Sequence, residues 1–161
     1  MKPHLGRNIL INDLGRKNYE TVLSMQKNLQ EQRIKGDIPD TLILVEHEAV
    51  YTLGKNANKD HLLQSRDQSI EVFNIGRGGD VTFHGPGQLV GYPILDLRNY
   101  KKSVSWYMRR LEELTIKVLK EFDIKGSRIK GLTGVWVNNK KIAAQGCLLY
   151  TSDAADEKRC V

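Results

Sequence analysis

The sequence predicts an α+β domain, a mixed or largely antiparallel β-sheet flanked by helices. Strand-like runs outnumber helical ones, and the two do not alternate strictly, as a doubly wound sheet requires. The length also fits: 161 residues with 40% hydrophobic and 27% charged side chains suit a single globular domain with its own core.

The first strand is expected at Asn8 to Asn12. From Asn18 to Arg33, Tyr19, Val22, Leu23 and Leu29 recur at helical spacing, and Gly36 stands just beyond as a stop. The turn cluster 37–40 leads into Thr41 to Val45, a β-rich apolar run read as a buried central strand with His47 and Glu48 at its end. A polar loop is expected after Tyr51, then a strand from Ile70 to Ile75 that delivers the chain into a glycine-dense loop. Leu89 to Leu97 reads as the next strand, with Pro93 restricting its pairing. Between Ser103 and Phe122, the residues Val104, Tyr107, Met108, Leu111, Val118, Leu119 and Phe122 form one stripe, predicting a helix that buries this face in the core. Two short strands follow, Val135 to Val137 and Lys141 to Ala144, joined at Asn138-Asn139, a pair that tolerates left-handed turns. No internal repeat or low-complexity linker is evident.

Charge and composition narrow the function classes. The net charge of +6 favours acidic partners, which include nucleic acid, anionic lipid and acidic proteins, but the basic residues are scattered as on an ordinary solvated surface. No apolar run approaches a membrane span, and no signal-peptide pattern opens the chain, so a cytoplasmic location is expected. Cys147 and Cys160 are too few for a disulfide framework or a four-cysteine zinc site. His4, His47, His61 and His84 show no ligand spacing, so no metal is predicted, and His47 at a strand end is expected to be a hydrogen-bonded structural residue.

The segment most suggestive of chemistry is GRGGDVTFHGPG, from Gly76 to Gly87. Its glycines let the backbone approach a ligand closely, and Arg77 and His84 supply polar heads. It does not match the phosphate loop GxxxxGK[ST], and a strand rather than a helix follows it, which disfavours a phosphate at a helix terminus. On residue types alone, a ligand site and an elaborate turn both remain open. Lys140 and Lys141, taken alone, read as solvated hairpin lysines.

GRGGDVTFHGPGQLVGYPILDL resembles the signature of the lipoyl(octanoyl) transferase family, GLTGVWVNNKKIAAQG resembles its second signature, and VEHEAVYTLG resembles a third element. The resemblance covers nearly all of residues 8 to 146. It implies the catalytic-domain fold of biotin and lipoate protein ligases, with a central mixed sheet holding an acyl chain beneath the glycine loop. It also implies transfer of octanoyl from octanoyl-acyl carrier protein to the lysine of lipoyl domains, those of 2-oxoacid dehydrogenase complexes or of the glycine cleavage H protein, through a cysteine thioester, with no cofactor. Arg77, Gly78, Gly79, Asp80, Val81, Thr82, Phe83 and His84 are implied to line the substrate cavity. Ala144, Gln145 and Gly146 are implied as a further substrate-binding stretch. Lys141, not Lys140, is implied to face the catalytic cysteine and lower its pKa.

Past Gly146 the family pattern implies a His-Gly-x-Ala-Leu-Asn segment and a Pro-Cys-Gly segment with the nucleophile, and neither is found here. Instead CLLYTSDAADE, Cys147 to Glu157, resembles an in-frame translation of a transposase-type sequencing adapter over eleven consecutive residues. The expectation is therefore a catalytic domain at residues 1–146, incomplete at its C-terminus, a non-native tail at 147–161, and a chain inactive as written. Two other readings remain beside it. An ATP-dependent lipoate or biotin ligase of the same fold would show a different glycine loop, and a non-catalytic basic domain would bind nucleic acid with steep salt dependence. The main reading predicts neither nucleic acid nor membrane as partner.

Overall fold

The computed structural model describes residues 8–147 together with the backbone of 149–150 and 159–160. Most of the segment expected to be a foreign tail therefore lies outside the described residues. The chain divides into two units, one built from residues up to Asp96 and again after Cys147, the other from Leu97 to Cys147.

The first unit starts with β1 (Leu10–Lys17), α1 (Tyr19–Lys35) and β2 (Thr41–His47). Strand β1 is longer than the sequence suggests, because a bulge between Asp13 and Arg16 absorbs Leu14 and Gly15 and lets pairing with β2 resume at Arg16 and Lys17. The helix is bounded by two local signals. Asn18 accepts a hydrogen bond from the Thr21 amide at 2.9 Å, and Gly36 closes the far end at φ 87°, where a Cβ would be strained. Strand β2 alternates fully buried and half-buried residues and is central, with β1 parallel on one side and β6 (Leu89–Ile94) antiparallel on the other. Val22 of α1 meets Ile43, Val45 and Ile94 in the core, with Tyr92 and Val90 packed at its margin. At one edge of this core Asp40, 6% exposed, accepts from Arg33 Nε at 2.7 Å and from the Asp96 amide at 3.1 Å, joining α1, β2 and the end of β6.

A second three-stranded sheet has β3 (Val50–Leu53) in the middle, β4 (Val72–Asn74) parallel to it and β5 (Val81–His84) antiparallel. The polar loop expected after Tyr51 therefore begins only after Leu53, and the glycine-dense segment contains a strand. The single mixed sheet expected from sequence is two mixed sheets, each with one parallel and one antiparallel pairing. Residues 149–150 and 159–160 form a short antiparallel pair, β9 and β10.

The second unit contains α2 (Val104–Lys120), capped by Ser103, and the hairpin β7 (Val135–Val137) and β8 (Lys140–Ala143). Asn138 and Asn139 take φ of 48° and 61°, the left-handed pair that a tight two-residue hairpin turn needs. Ser127 extends the hairpin by exchanging backbone hydrogen bonds with Trp136 at 2.8 and 2.9 Å. The expected burial of the α2 stripe holds only in part. Tyr107 is buried and Leu119 half-buried beside Gly126, but Val118 is 50% and Phe122 71% exposed. Among the described residues no helix is long and apolar enough to cross a membrane.

Candidate functional site

Alternation along β5 decides what its side chains can do. Thr82 pairs with Thr52 and His84 with Val50, whereas Val81 pairs with Leu53 and Phe83 with Tyr51. Thr52, Thr82 and His84 thus share one face of the sheet, and Phe83 goes to the other, its ring 5.1 Å from that of Tyr51. The substrate-lining run expected at Arg77 to His84 is split between two faces.

Arg77 is bound to the sheet. Its Nη2 donates to the Thr52 carbonyl at 3.1 Å, to Thr52 Oγ1 at 2.8 Å and to Thr82 Oγ1 at 2.7 Å, and its Nη1 donates to the Gly78 carbonyl at 3.0 Å. Its charge remains, since a guanidinium does not lose its proton in a protein, but most of its donors are already used. Asp80 is likewise committed. Oδ1 accepts from the amides of Val81 at 2.8 Å and Asn58 at 3.1 Å, and Oδ2 pairs with His61 Nδ1. The His61 and backbone bonds hold the Asp80 carboxyl below its ordinary range. Gly78 and Gly79 carry the chain between these two anchors. Gly54, at the end of β3, is the point of closest approach: a Cβ there would lie 2.2 Å from the Gly79 carbonyl oxygen.

Four rings from distant parts of the first unit meet beside this face. Tyr19 of α1 lies 5.2 Å from His47 of β2 and stacks on His84 of β5 at 6.3 Å, and His47 lies 5.8 Å from both His84 and Tyr92 of β6. His47 is fully buried, as befits the structural role expected for it. Its Nδ1 meets the Lys17 carbonyl at 3.2 Å, and this acceptor requires Nδ1 to carry the hydrogen. Nε2 then accepts from the Tyr92 hydroxyl at 2.9 Å. Burial pushes the pKa of His47 below its ordinary value despite the Lys17 bond, and it pushes that of Tyr92 far upward. His84 is also lowered, first by burial and then by the nearby charges of His47 and Arg77, against an opposing bond from Gln88. Both imidazoles are therefore neutral at neutral pH, and the site is a polar but uncharged surface around one fixed guanidinium. Such an arrangement can accept and donate hydrogen bonds to a carbonyl, an amide or an amine.

The remaining expected residues lie in the second unit. Lys141, exposed on β8, places Nζ 5.0 Å from the centroid of the Trp136 ring, a cation–π contact. Gln145 Nε2 donates to Thr115 Oγ1 of α2 at 3.3 Å, while its Oε1 is buried without a partner. Ala144 and Gly146 are exposed. The base of this hairpin is held by Glu112, 2% exposed, which accepts from the Gly134 amide at 3.2 Å and from Arg109 and Arg128 at 2.9 Å each. Burial alone would raise the carboxyl of Glu112, but these bonds outweigh it and the pKa is lowered.

A family model described as the lipoyl protein ligase A/B catalytic domain matches residues 18–153. The chain belongs to that family. It is 49% identical over 143 residues to an octanoyltransferase of Gloeobacter violaceus, covering 88% of this chain and 64% of the relative. It is 48% identical over 144 residues to an octanoyltransferase of Solibacter usitatus, covering 87% of this chain and 66% of the relative. The chain thus spans just under two thirds of the length of these curated relatives. A lipoate-protein ligase A solved with ATP matches 89% of this chain and 61% of its own at a TM-score of 0.63 and 14% identity. A bipartite lipoate protein ligase from Thermoplasma acidophilum matches 95% of this chain and 59% of its own at a TM-score of 0.63 and 13% identity. At these identities the likeness is one of fold, the ligase fold that the two signatures imply.

Within this family domain, sequence reasoning singled out Arg77, His84 and Lys141 but not Tyr19, Thr52, Gln88, Tyr92 or Glu112. Tyr92 and Gln88 lie inside the quoted signature, so their place was marked without their role. Tyr19 sits in a helical stripe, where periodicity signals only burial, and Glu112, a carboxylate outside the apolar stripe of α2, carries no sequence signal of its burial.

Proposed function

We propose that this chain is the acyl-transfer domain of an octanoyltransferase acting in the cytoplasm. Octanoate passes from octanoyl-acyl carrier protein to an enzyme cysteine, and then to the lysine of a lipoyl domain of a 2-oxoacid dehydrogenase complex or of the glycine cleavage H protein. The single observation that carries the reading is the 49% identity over 143 residues to a relative named octanoyltransferase.

The chemistry balances as two acyl substitutions. A cysteine thiolate attacks the thioester carbonyl, the carrier thiol leaves with a proton, and a new thioester remains. A lysine amine then attacks that carbonyl, the amide forms, and the thiol is regenerated. In this scheme Lys141 stabilises the thiolate and shuttles the proton. In the first unit the glycine-loop face with Thr52, Thr82 and His84 binds substrate, and in the second unit Ala144, Gln145 and Gly146 form a substrate-binding stretch of their own. Arg77 and Asp80 contribute by fixing the loop rather than by touching substrate, an amendment that their hydrogen bonds support.

This reading takes the nucleophile from a Pro-Cys-Gly segment that the 161 residues do not contain. Cys147 stands in the adapter-like stretch rather than in a Pro-Cys-Gly segment and does not supply it. We extend the proposal to the domain limits: residues 1–146 are family domain and 147–161 a non-native tail, although the family match runs on to residue 153, and the 161-residue chain is inactive.

The test is octanoyl transfer from octanoyl-acyl carrier protein to a lipoyl domain, read by mass spectrometry. The 161-residue chain is expected to give no product. A chimera carrying the C-terminal segment of the Gloeobacter violaceus relative after Gly146 is expected to transfer, and Lys141→Ala in that chimera to lose about 10²-fold or more. Product formed only from free octanoate and ATP would replace the proposal with the ligase reading.

A further inference from the structure

Gln88 follows the glycine loop and touches both its neighbours in β5. Its Nε2 donates to the Phe83 carbonyl at 3.2 Å, and its Oε1 lies 2.6 Å from His84 Nδ1. A carbonyl oxygen can only accept, so the amide cannot be turned over without losing the Phe83 bond. Oε1 must therefore be the atom that meets the ring. Since Oε1 also only accepts, Nδ1 carries the hydrogen, and in the neutral imidazole Nε2 carries the lone pair.

The partner of that lone pair is weakly placed. Thr52 Oγ1 stands 3.5 Å from Nε2, at the outer limit of a hydrogen bond, whereas it accepts from Arg77 Nη2 at 2.8 Å. Nε2 is thus the least satisfied atom in a chain that otherwise runs at short distances from the Phe83 carbonyl to the guanidinium. The other groups around the ring are Tyr19, stacked at 6.3 Å, and His47, edge-on at 5.8 Å with its own Nδ1 and Nε2 already bonded.

We propose that Gln88 is a positioning residue that locks His84 as the Nδ1–H tautomer, so that its bare Nε2 accepts a hydrogen bond from an incoming N–H donor of the primary-amine class. The identity of that donor as the acyl acceptor rests on the proposed transfer reaction. The tautomer does not, and the two can fail separately.

The experiment is long-range 1H–15N correlation on the 15N-labelled 161-residue protein at neutral pH. The His84 ring is expected to show a protonated Nδ1 and a bare Nε2. Gln88→Met is expected to move both signals toward the tautomer mixture of free neutral histidine, and Gln88→Glu, whose carboxylate also only accepts, to keep Nδ1 protonated. His47, held by Lys17 instead of Gln88, is the internal reference. A bare Nδ1 on His84 in the unaltered protein overturns the proposal, as does an unchanged tautomer in Gln88→Met. If that variant does not fold, the unaltered protein and Gln88→Glu decide, because both must show Nδ1–H. Methylammonium is then added as the probe, with tetramethylammonium, equally charged but lacking N–H, as its control. A shift of Nε2 with the first alone supports the acceptor role, and equal responses or none overturn it.

Discussion

The glycine loop and the Asn138-Asn139 hairpin both connect short strands, yet they are built by opposite means. The hairpin is made locally: two asparagines take left-handed φ, and the flanking strands pair with each other. The loop from Gly76 to Gly87 owes its shape to residues far away in sequence. Strand β3 pairs with β5, the Lys55 amide donates to the Arg77 carbonyl at 3.0 Å, and Thr52 accepts the Arg77 side chain. Their cations differ in the same way. Arg77 is consumed by the structure that it holds, whereas Lys141 lies exposed against an aromatic ring. Glycine density therefore marks where this loop is tightly held, and the held loop presents neighbours such as His84.

The largest expected effect breaks the loop. Gly54→Ala places a Cβ 2.2 Å from the Gly79 carbonyl oxygen and 3.0 Å from that of Arg77, both backbone atoms that no rotamer change can move. A loss of about 3 kcal/mol in urea unfolding is expected, in the upper range for overpacking. A loss below about 1 kcal/mol would mean that the loop can shift cheaply.

The next change tests how far the hairpin depends on tertiary support. Glu112→Gln removes the charge that holds Arg109, Arg128 and the Gly134 amide. Both arginines are partly exposed and can return to water, so the expected loss is about 2 kcal/mol, below the range for a fully buried pair. Because the folded pKa of Glu112 is depressed, its contribution is complete above the unfolded carboxyl pKa of about 4.3 and is lost as pH falls through the folded value. The variant should accordingly show a flatter acid limb when stability is followed by pH. An unchanged limb would assign acid sensitivity elsewhere.

The smallest effect sharpens the local side of the comparison. Asn139→Gly keeps φ at 61° without a side-chain penalty, so thermal unfolding should show a gain of about 0.5 kcal/mol. A loss would show that the Asn139 side chain contributes contacts beyond its backbone angle.

Both long helices were legible because their signals are local: Asn18 and Ser103 cap them, Gly36 stops the first, and the apolar spacing fills each. Strand β2 was legible from its continuous apolar run. Strands β3 and β5 were not, since each has four residues and is defined by pairing with a partner about thirty positions away. The β1 bulge escaped for a related reason: Leu14-Gly15 reads as a strand end until β2 supplies bonds on its far side. At the site, Arg77 and His84 were found by residue type, but type could not reveal that one is bound to two threonines and the other ringed by Tyr19, His47 and Gln88.

By itself the sequence determined the α+β class, the two long helices, the central strand, the hairpin turn and, through its signatures, the family. These rest on patterns read within a few turns or strand repeats, where backbone preference and side-chain periodicity act directly. Only the tertiary structure decided which side chains of the glycine segment are spent on anchoring and which face the cluster, and which groups meet the ring nitrogens of His47 and His84. Those outcomes depend on acceptors delivered by other strands, such as the Lys17 carbonyl for His47 and the Thr52 oxygens for Arg77, and no local pattern encodes their arrival.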